Sequence, residues 1–77
     1  MAKKRVKVGR YYAHFKHPGE KEYQVVDIGI LENGEEICVI YKSLTNGIIW
    51  IRTLGNFLER VDGGGRMVNR FTKLERE

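Results

Sequence analysis

Tyr23-Gln-Val-Val-Asp-Ile-Gly-Ile-Leu31, Glu36-Ile-Cys-Val-Ile-Tyr-Lys-Ser-Leu44 and Ile48-Ile-Trp-Ile-Arg-Thr53 are three apolar runs. Glu32-Asn33-Gly34-Glu35 and Thr45-Asn46-Gly47 separate them. Each run is short and rich in β-branched and aromatic residues, which favours strands over helices. Asn-Gly between such runs is the strongest short hairpin signal, since a type I′ turn needs positive φ. The segment therefore predicts a three-stranded antiparallel meander. In the first run Val26, Ile28 and Ile30 alternate with Asp27 and Gly29, while Tyr23 and Val25 fall on the other parity. That change of phase predicts a bulge near Val25–Val26. In the second run Ile37, Val39 and Tyr41 share a face. In the third, Trp50 and Arg52 stand side by side, with Ile49 and Ile51 opposite.

Working outward, Val6 to Phe15 reads as a preceding strand, and Lys16-His17-Pro18-Gly19-Glu20-Lys21 as a loop by its Pro-Gly chemistry. Leu54, Phe57 and Leu58 lie at i, i+3 and i+4, the spacing of a single helical turn. Gly63-Gly64-Gly65 reads as a flexible connector and Arg66 to Thr72 as a last strand. Five short strands must curl to cover their own apolar side. The expected fold is all-β: a small, strongly bent, five-stranded antiparallel barrel of SH3-like layout, with one short helical turn before the last strand. An OB-like barrel fits less well, for want of room for its longer helix. The expected organisation is a flexible basic arm over residues 1–5, one domain over 6–72 and a charged tail over 73–77.

The chain has 77 residues, enough for one domain. A domain of this size buries only about 60% of its unfolded surface. The formal net charge is +4. Lys3, Lys4, Arg5, Lys7 and Arg10 place five positive charges in the first ten residues, and the other 67 residues carry nine basic against ten acidic groups. The basicity thus belongs to the N-terminal arm, where it suits either phosphate contacts or a solvated tail. Cys38, the only cysteine, has no disulfide partner, which points to a reduced, cytoplasmic setting. No apolar run approaches the roughly 18 residues of a membrane span, so no membrane association is expected. No apolar stretch follows the basic start, so no signal peptide is expected.

Tyr12-Ala13-His14-Phe15-Lys16, Tyr23-Gln24-Val25, Val39-Ile40-Tyr41-Lys42, Trp50-Ile51-Arg52-Thr53-Leu54 with Phe57, and Arg70-Phe71 occur in this order. The arrangement resembles a bacterial and phage family known as domain of unknown function 1653. The resemblance spans roughly Gly9 to Phe71. Members typically read Tyr-Arg-His-Phe-Lys-Gly early and Trp-x-Arg-Pro-Leu-x-x-Phe later. Here Ala13 stands where Arg is usual, and Thr53 and Asn69 stand where Pro is usual. The His17–Glu22 loop also looks longer. The resemblance implies a small β-rich domain and implies no reaction.

Several constellations of residues bear on chemistry. His14 and His17 are three apart, but zinc needs three or four ligands and no metal site is expected. Cys38 falls on the Ile40 and Lys42 side of its strand and reads as a small packing group rather than a nucleophile. Glu35 and Glu36 are adjacent and diverge on a strand, and Asp27 reads as a solvent-facing residue of an alternating strand. The glycine run lacks the Lys-Ser/Thr and strand-to-helix context of a phosphate loop. What remains is an aromatic-basic set: Tyr12, His14, Lys16, Lys42, Trp50, Arg52 and Arg70, with the basic arm.

Aromatic faces stack bases and cations track phosphates, so this set suits single-stranded nucleic acid. Trp50 and Tyr12 are the expected stacking groups, and Arg52, Lys42, Lys16 and Arg70 the expected phosphate contacts. The expected function is a non-enzymatic binding module for nucleic acid or another phosphate-bearing ligand, with no cofactor. The alternatives are an adaptor that grips an extended peptide, or a binder of a free nucleotide or nucleotide signal.

Overall fold

The computed structural model describes residues 6–74. Lys3, Lys4 and Arg5 of the expected arm, and residues 75–77 of the expected tail, lie outside that range. The described elements are β1 (Tyr11–His14), β2 (Tyr23–Leu31), β3 (Glu36–Ser43), β4 (Ile49–Thr53), α1 (Leu54–Phe57), β5 (Arg60–Asp62), β6 (Met67–Asn69) and β7 (Phe71–Lys73). β1 to β4 and β7 form one antiparallel sheet in the order β4-β3-β2-β1-β7, and β5 with β6 forms a separate two-stranded ribbon.

The meander β2-β3-β4 forms as expected, with Ile28 opposite Val39, Tyr41 opposite Trp50 and Val39 opposite Arg52. Val25 pairs with Tyr41 and Asp27 with the next residue, Ile40, so Val26 is the extra residue of a bulge. The parity change read from the sequence marks that position. The bulge keeps both Tyr23–Val25 and Ile28 on the concave side. The two Asn-Gly turns are longer than type I′ hairpins. Leu31 pairs with Glu36, which leaves a four-residue loop, and the positive φ values fall on Gly34 (101°) and Glu35 (53°).

The sheet is curved but open, where a closed barrel was expected. β4 and β7 are its two edges, and neither pairs with the other. Side chains bridge the gap instead: the Arg52 guanidinium of β4 lies 5.6 Å from the Phe71 ring centre of β7. α1 covers one end of the concave face. The Thr53 hydroxyl caps it by accepting from Asn56 N–H at 3.2 Å, and Phe57 is buried with Leu54 and Leu58 packed beside it. The core comprises Val6, Tyr12, Val25, Val39, Tyr41, Phe57 and Phe71.

Other expectations are corrected as well. The first strand covers Tyr11–His14 rather than Val6–Phe15; Val6 is nonetheless buried to 1% and belongs to the core. The expected strand Arg66–Thr72 is two strands, β6 and β7, which belong to different sheets. Arg70 is the crossing point, because its N–H donates to Glu59 C=O beside the ribbon while its C=O accepts from Phe15 N–H beside β1. The glycine run is an ordered ribbon turn, since the Asp62 carboxylate accepts from Gly64 N–H at 3.1 Å and Gly65 N–H at 2.9 Å. Lys73 closes β7, and Leu74 N–H still bonds Tyr11 C=O.

Among the described residues, no helix is long and apolar enough to cross a membrane.

Candidate functional site

Antiparallel partners share a face, so the concave side can be read off the register. It carries Tyr12 and His14 from β1, Tyr23 and Val25 from β2, Val39 and Tyr41 from β3, Trp50 and Arg52 from β4, and Phe71 from β7. α1 covers the Tyr12 end. The other end stays open as a hollow of about 170 Å³, lined by His14, Tyr23, Tyr41, Trp50, Arg52 and Phe71. Every strand of the main sheet contributes a wall, and among the described residues no carboxylate lines it.

The walls hold one another edge to face. Tyr23 meets Tyr41 at 5.4 Å and Phe71 at 5.6 Å between ring centres, and His14 meets Phe71 at 5.4 Å. Such pairs add rigidity beyond area burial, worth about 0.5–1.5 kcal/mol each. The hollow is thus preformed rather than waiting to collapse around a ligand.

Arg52 is its fixed cation. Its Nε–H donates to the Tyr41 hydroxyl at 2.9 Å and an Nη–H donates to Asn56 Oδ1. Asn56 in turn donates to Glu59 at 3.3 Å, and Glu59 pairs with Arg70 at 3.0 Å. The guanidinium is planted against Tyr41 and Asn56 and lines the hollow. Trp50 forms the rim and is 47% exposed, so its indole is available for stacking.

His14 supplies a donor. Lys16 N–H donates to His14 Nδ1 at 3.2 Å, which puts the neutral ring's proton on Nε2. Burial pushes its pKa below the ordinary 6.5; Glu22 opposes this, and Lys16, His17 and Arg70 reinforce it. Burial also raises the Tyr23 phenol, with Glu22 and Tyr41 adding to it and Arg52 opposing. At neutral pH the hollow therefore offers hydrogen-bond donors and one cation.

Of the residues singled out from the sequence, Trp50, Arg52 and His14 come together here. Tyr12 does not join them, because it is buried to 2% with its ring 5.3 Å from Phe57, and its phenol is raised chiefly by that burial. Lys42 lies on the convex face, opposite Gln24 and Ile49. Lys16 sits on the exposed turn after β1, near the hollow but outside its wall. Arg70 is held by Glu59, so its charge is balanced. Lys7 is exposed and Arg10 half-buried just before β1. Sequence reasoning missed Tyr23 and Phe71 as walls and Asn56 as the Arg52 anchor. Tyr23 shares a face with Tyr41 through the Val25–Tyr41 pair, on the parity that the Val26 bulge sets off from the rest of β2, and Phe71 reaches the site only because β7 crosses back to β1.

Among the described residues, no group of three or more His, Cys, Asp or Glu is placed to hold a metal ion. Cys38 is buried, with its thiol 3.7 Å from Glu36 C=O.

No curated protein and no solved structure matches the chain significantly. A family model described as "Protein of unknown function (DUF1653)" matches residues 10–73, a span from the eve of β1 to the end of β7 that includes every wall of the hollow, and the chain belongs to that family.

Proposed function

We propose that this domain is a non-catalytic binding module that takes a single planar ring bearing or adjoining a phosphate, as in single-stranded nucleic acid or a nucleotide. The observation that carries this reading is the exposed Trp50 indole beside the planted Arg52 guanidinium, at the mouth of an aromatic hollow with no carboxylate in its walls among the described residues. Its volume of about 170 Å³ lies below the roughly 300 Å³ at which drug-sized sites begin. It suits one ring, with the rest of the ligand outside. Stacking on Trp50 supplies affinity with little sequence preference, and Arg52 supplies charge. The layout, with five antiparallel strands curled around a helical turn, supports reading the fold as an open SH3-like one. The reduced thiol of buried Cys38 supports a cytoplasmic setting.

Trp50 is the chain's only tryptophan, so its fluorescence reports on the site directly. A nucleoside monophosphate and single- and double-stranded oligonucleotides should be titrated at two salt concentrations. Single strands should quench Trp50 more strongly than duplex, and more weakly as salt rises. Truncating residues 2–5 removes Lys3, Lys4 and Arg5. Loss of those charges should lower the logarithmic salt slope by up to about 2 for single strands. Truncation must stop there because Val6 is a core residue. Emission unchanged by every nucleotide probe would remove this function.

A further inference from the structure

β4 (Ile49–Thr53) is a free edge of the main sheet. Its hydrogen-bonding phase follows from β3. Ser43 N–H donates to Ile48 C=O at 2.9 Å, so the pairs Tyr41–Trp50 and Val39–Arg52 also face one another through hydrogen bonds. The backbone groups of Ile49 and Ile51 and the N–H of Thr53 therefore point outward, while the Thr53 C=O, at the N-cap of α1, accepts the first helical bond. Natural edges are normally blunted by Lys, Pro, a bulge or shortness. The other edge obeys that rule: β7 has three residues, Phe71 turned inward, then Thr72 and Lys73. β4 does not. Ile49, Trp50 and Ile51 are 51%, 47% and 66% exposed. The strand's one charge, Arg52, is drawn into the hollow by Tyr41 and Asn56.

We propose that β4 pairs with β4 of a second copy of this chain, antiparallel across a two-fold axis at Ile51, joining the two five-stranded sheets into one of ten strands. The sequence of the strand is its own complement in that register. Ile51 meets its counterpart as a hydrogen-bonded pair, and Ile49 C=O accepts from the Thr53 N–H of the other copy. Trp50 meets Arg52 of the other copy at the non-hydrogen-bonded positions, where side chains approach most closely. An indole beside a guanidinium is favourable there. A strand from an unrelated protein would satisfy the backbone equally, but only the second copy brings both the matching isoleucine and the Trp–Arg exchange. The two hollows then open on one face of a continuous sheet, each with the neighbour's Arg52 at its rim. The pairing rests on β4 alone and does not require the ligand proposed above.

Sedimentation of the full chain over a wide concentration range tests this. The mass should rise from 9.0 kDa toward twice that value. Ile51→Lys places like charges directly opposite one another and should hold the chain at monomer mass. Its circular dichroism and melting should not change, because Ile51 is mostly exposed. Ile30→Lys, at a residue 70% exposed on β2 and remote from the edge, should still dimerise. Hydrogen-bonded antiparallel partners have Cα atoms about 5.5 Å apart, within disulfide range. Under mild oxidation Ile51→Cys should therefore cross-link in high yield, and Ile30→Cys should not. Monomer mass at all concentrations would overturn the proposal, and so would a dimer that persists in Ile51→Lys without the Ile51→Cys cross-link.

Discussion

Phe57 and Phe71 lie face to face, 4.4 Å between ring centres and 7° between planes. One belongs to the helical turn after β4 and the other to β7, so the contact joins the two edges of an open sheet. Backbone pairing does not close this fold; an aromatic stack does.

Phe57→Ala should therefore be the most damaging single truncation. Emptying a core aromatic site costs about 3–5 kcal/mol. That is comparable to the whole stability expected of so small a domain. A denaturant melt should show the variant largely unfolded in buffer.

Trp50→Ala should behave differently, since half the indole is already in water. We expect a cost of about 1 kcal/mol or less in folding, well below a core aromatic loss. Binding of the nucleotide proposed for the hollow should weaken by about 1–3 kcal/mol. Arg52→Lys should weaken binding as well, because an ammonium cannot bond Tyr41 and Asn56 together and still present a planar edge. Titrations followed by calorimetry, beside melts of both variants, would separate the two effects. Equal losses in stability and binding for Trp50→Ala would argue against a recognition rim.

His14 makes stability depend on pH. Its folded-state pKa is depressed by burial. Between that value and the unfolded 6.5, the unfolded chain carries a proton that the folded chain lacks. The contribution is fully present above 6.5 and is lost as pH falls through this window. Melting temperatures should drop on acidification below pH 6.5, and His14→Gln should flatten that part of the curve. A phosphate in the hollow reverses the sign for binding. It favours the protonated ring, so affinity should rise as pH falls and His14→Gln should abolish the rise.

The β2–β3 loop holds two residues at positive φ, Gly34 at 101° and Glu35 at 53°. Only glycine tolerates such angles freely. Gly34→Val should destabilise by about 1–2 kcal/mol. Glu35→Gly relieves a left-handed non-glycine residue and should raise stability, by up to about 1 kcal/mol. Thermal melts of the two variants should move in opposite directions.

How much of this was legible in the residues depends on where each contact originates. The meander, the Val26 bulge, the helical turn at Leu54–Phe57 and the buried Cys38 follow from patterns a few residues long. The Trp50–Arg52 side of β4 follows from parity alone. Local patterns fail where the chain must choose between distant partners. Arg66 to Thr72 alternates like one strand, yet Arg70 divides its two backbone groups between the ribbon and β1. Tyr12 and Tyr23 are directly paired. One is sealed under Phe57 and the other walls the hollow, because α1 covers only one end of the sheet. Barrel closure fails as an expectation for the same reason: five strands demand a covered interior, but a four-residue helix and two phenylalanines supply the cover that a fifth pairing, between β4 and β7, would have given.

The bulge at Val26 makes the curvature of this sheet a separable trait. Val25 and Asp27 already face consecutive residues of β3. Loss of residue 26 would therefore leave each ladder partner and each facing side chain where it is, and would remove only the local bend. A lineage carrying this domain can thus widen or narrow its aromatic cleft through a one-residue insertion or deletion, without rewriting the side chains that line it.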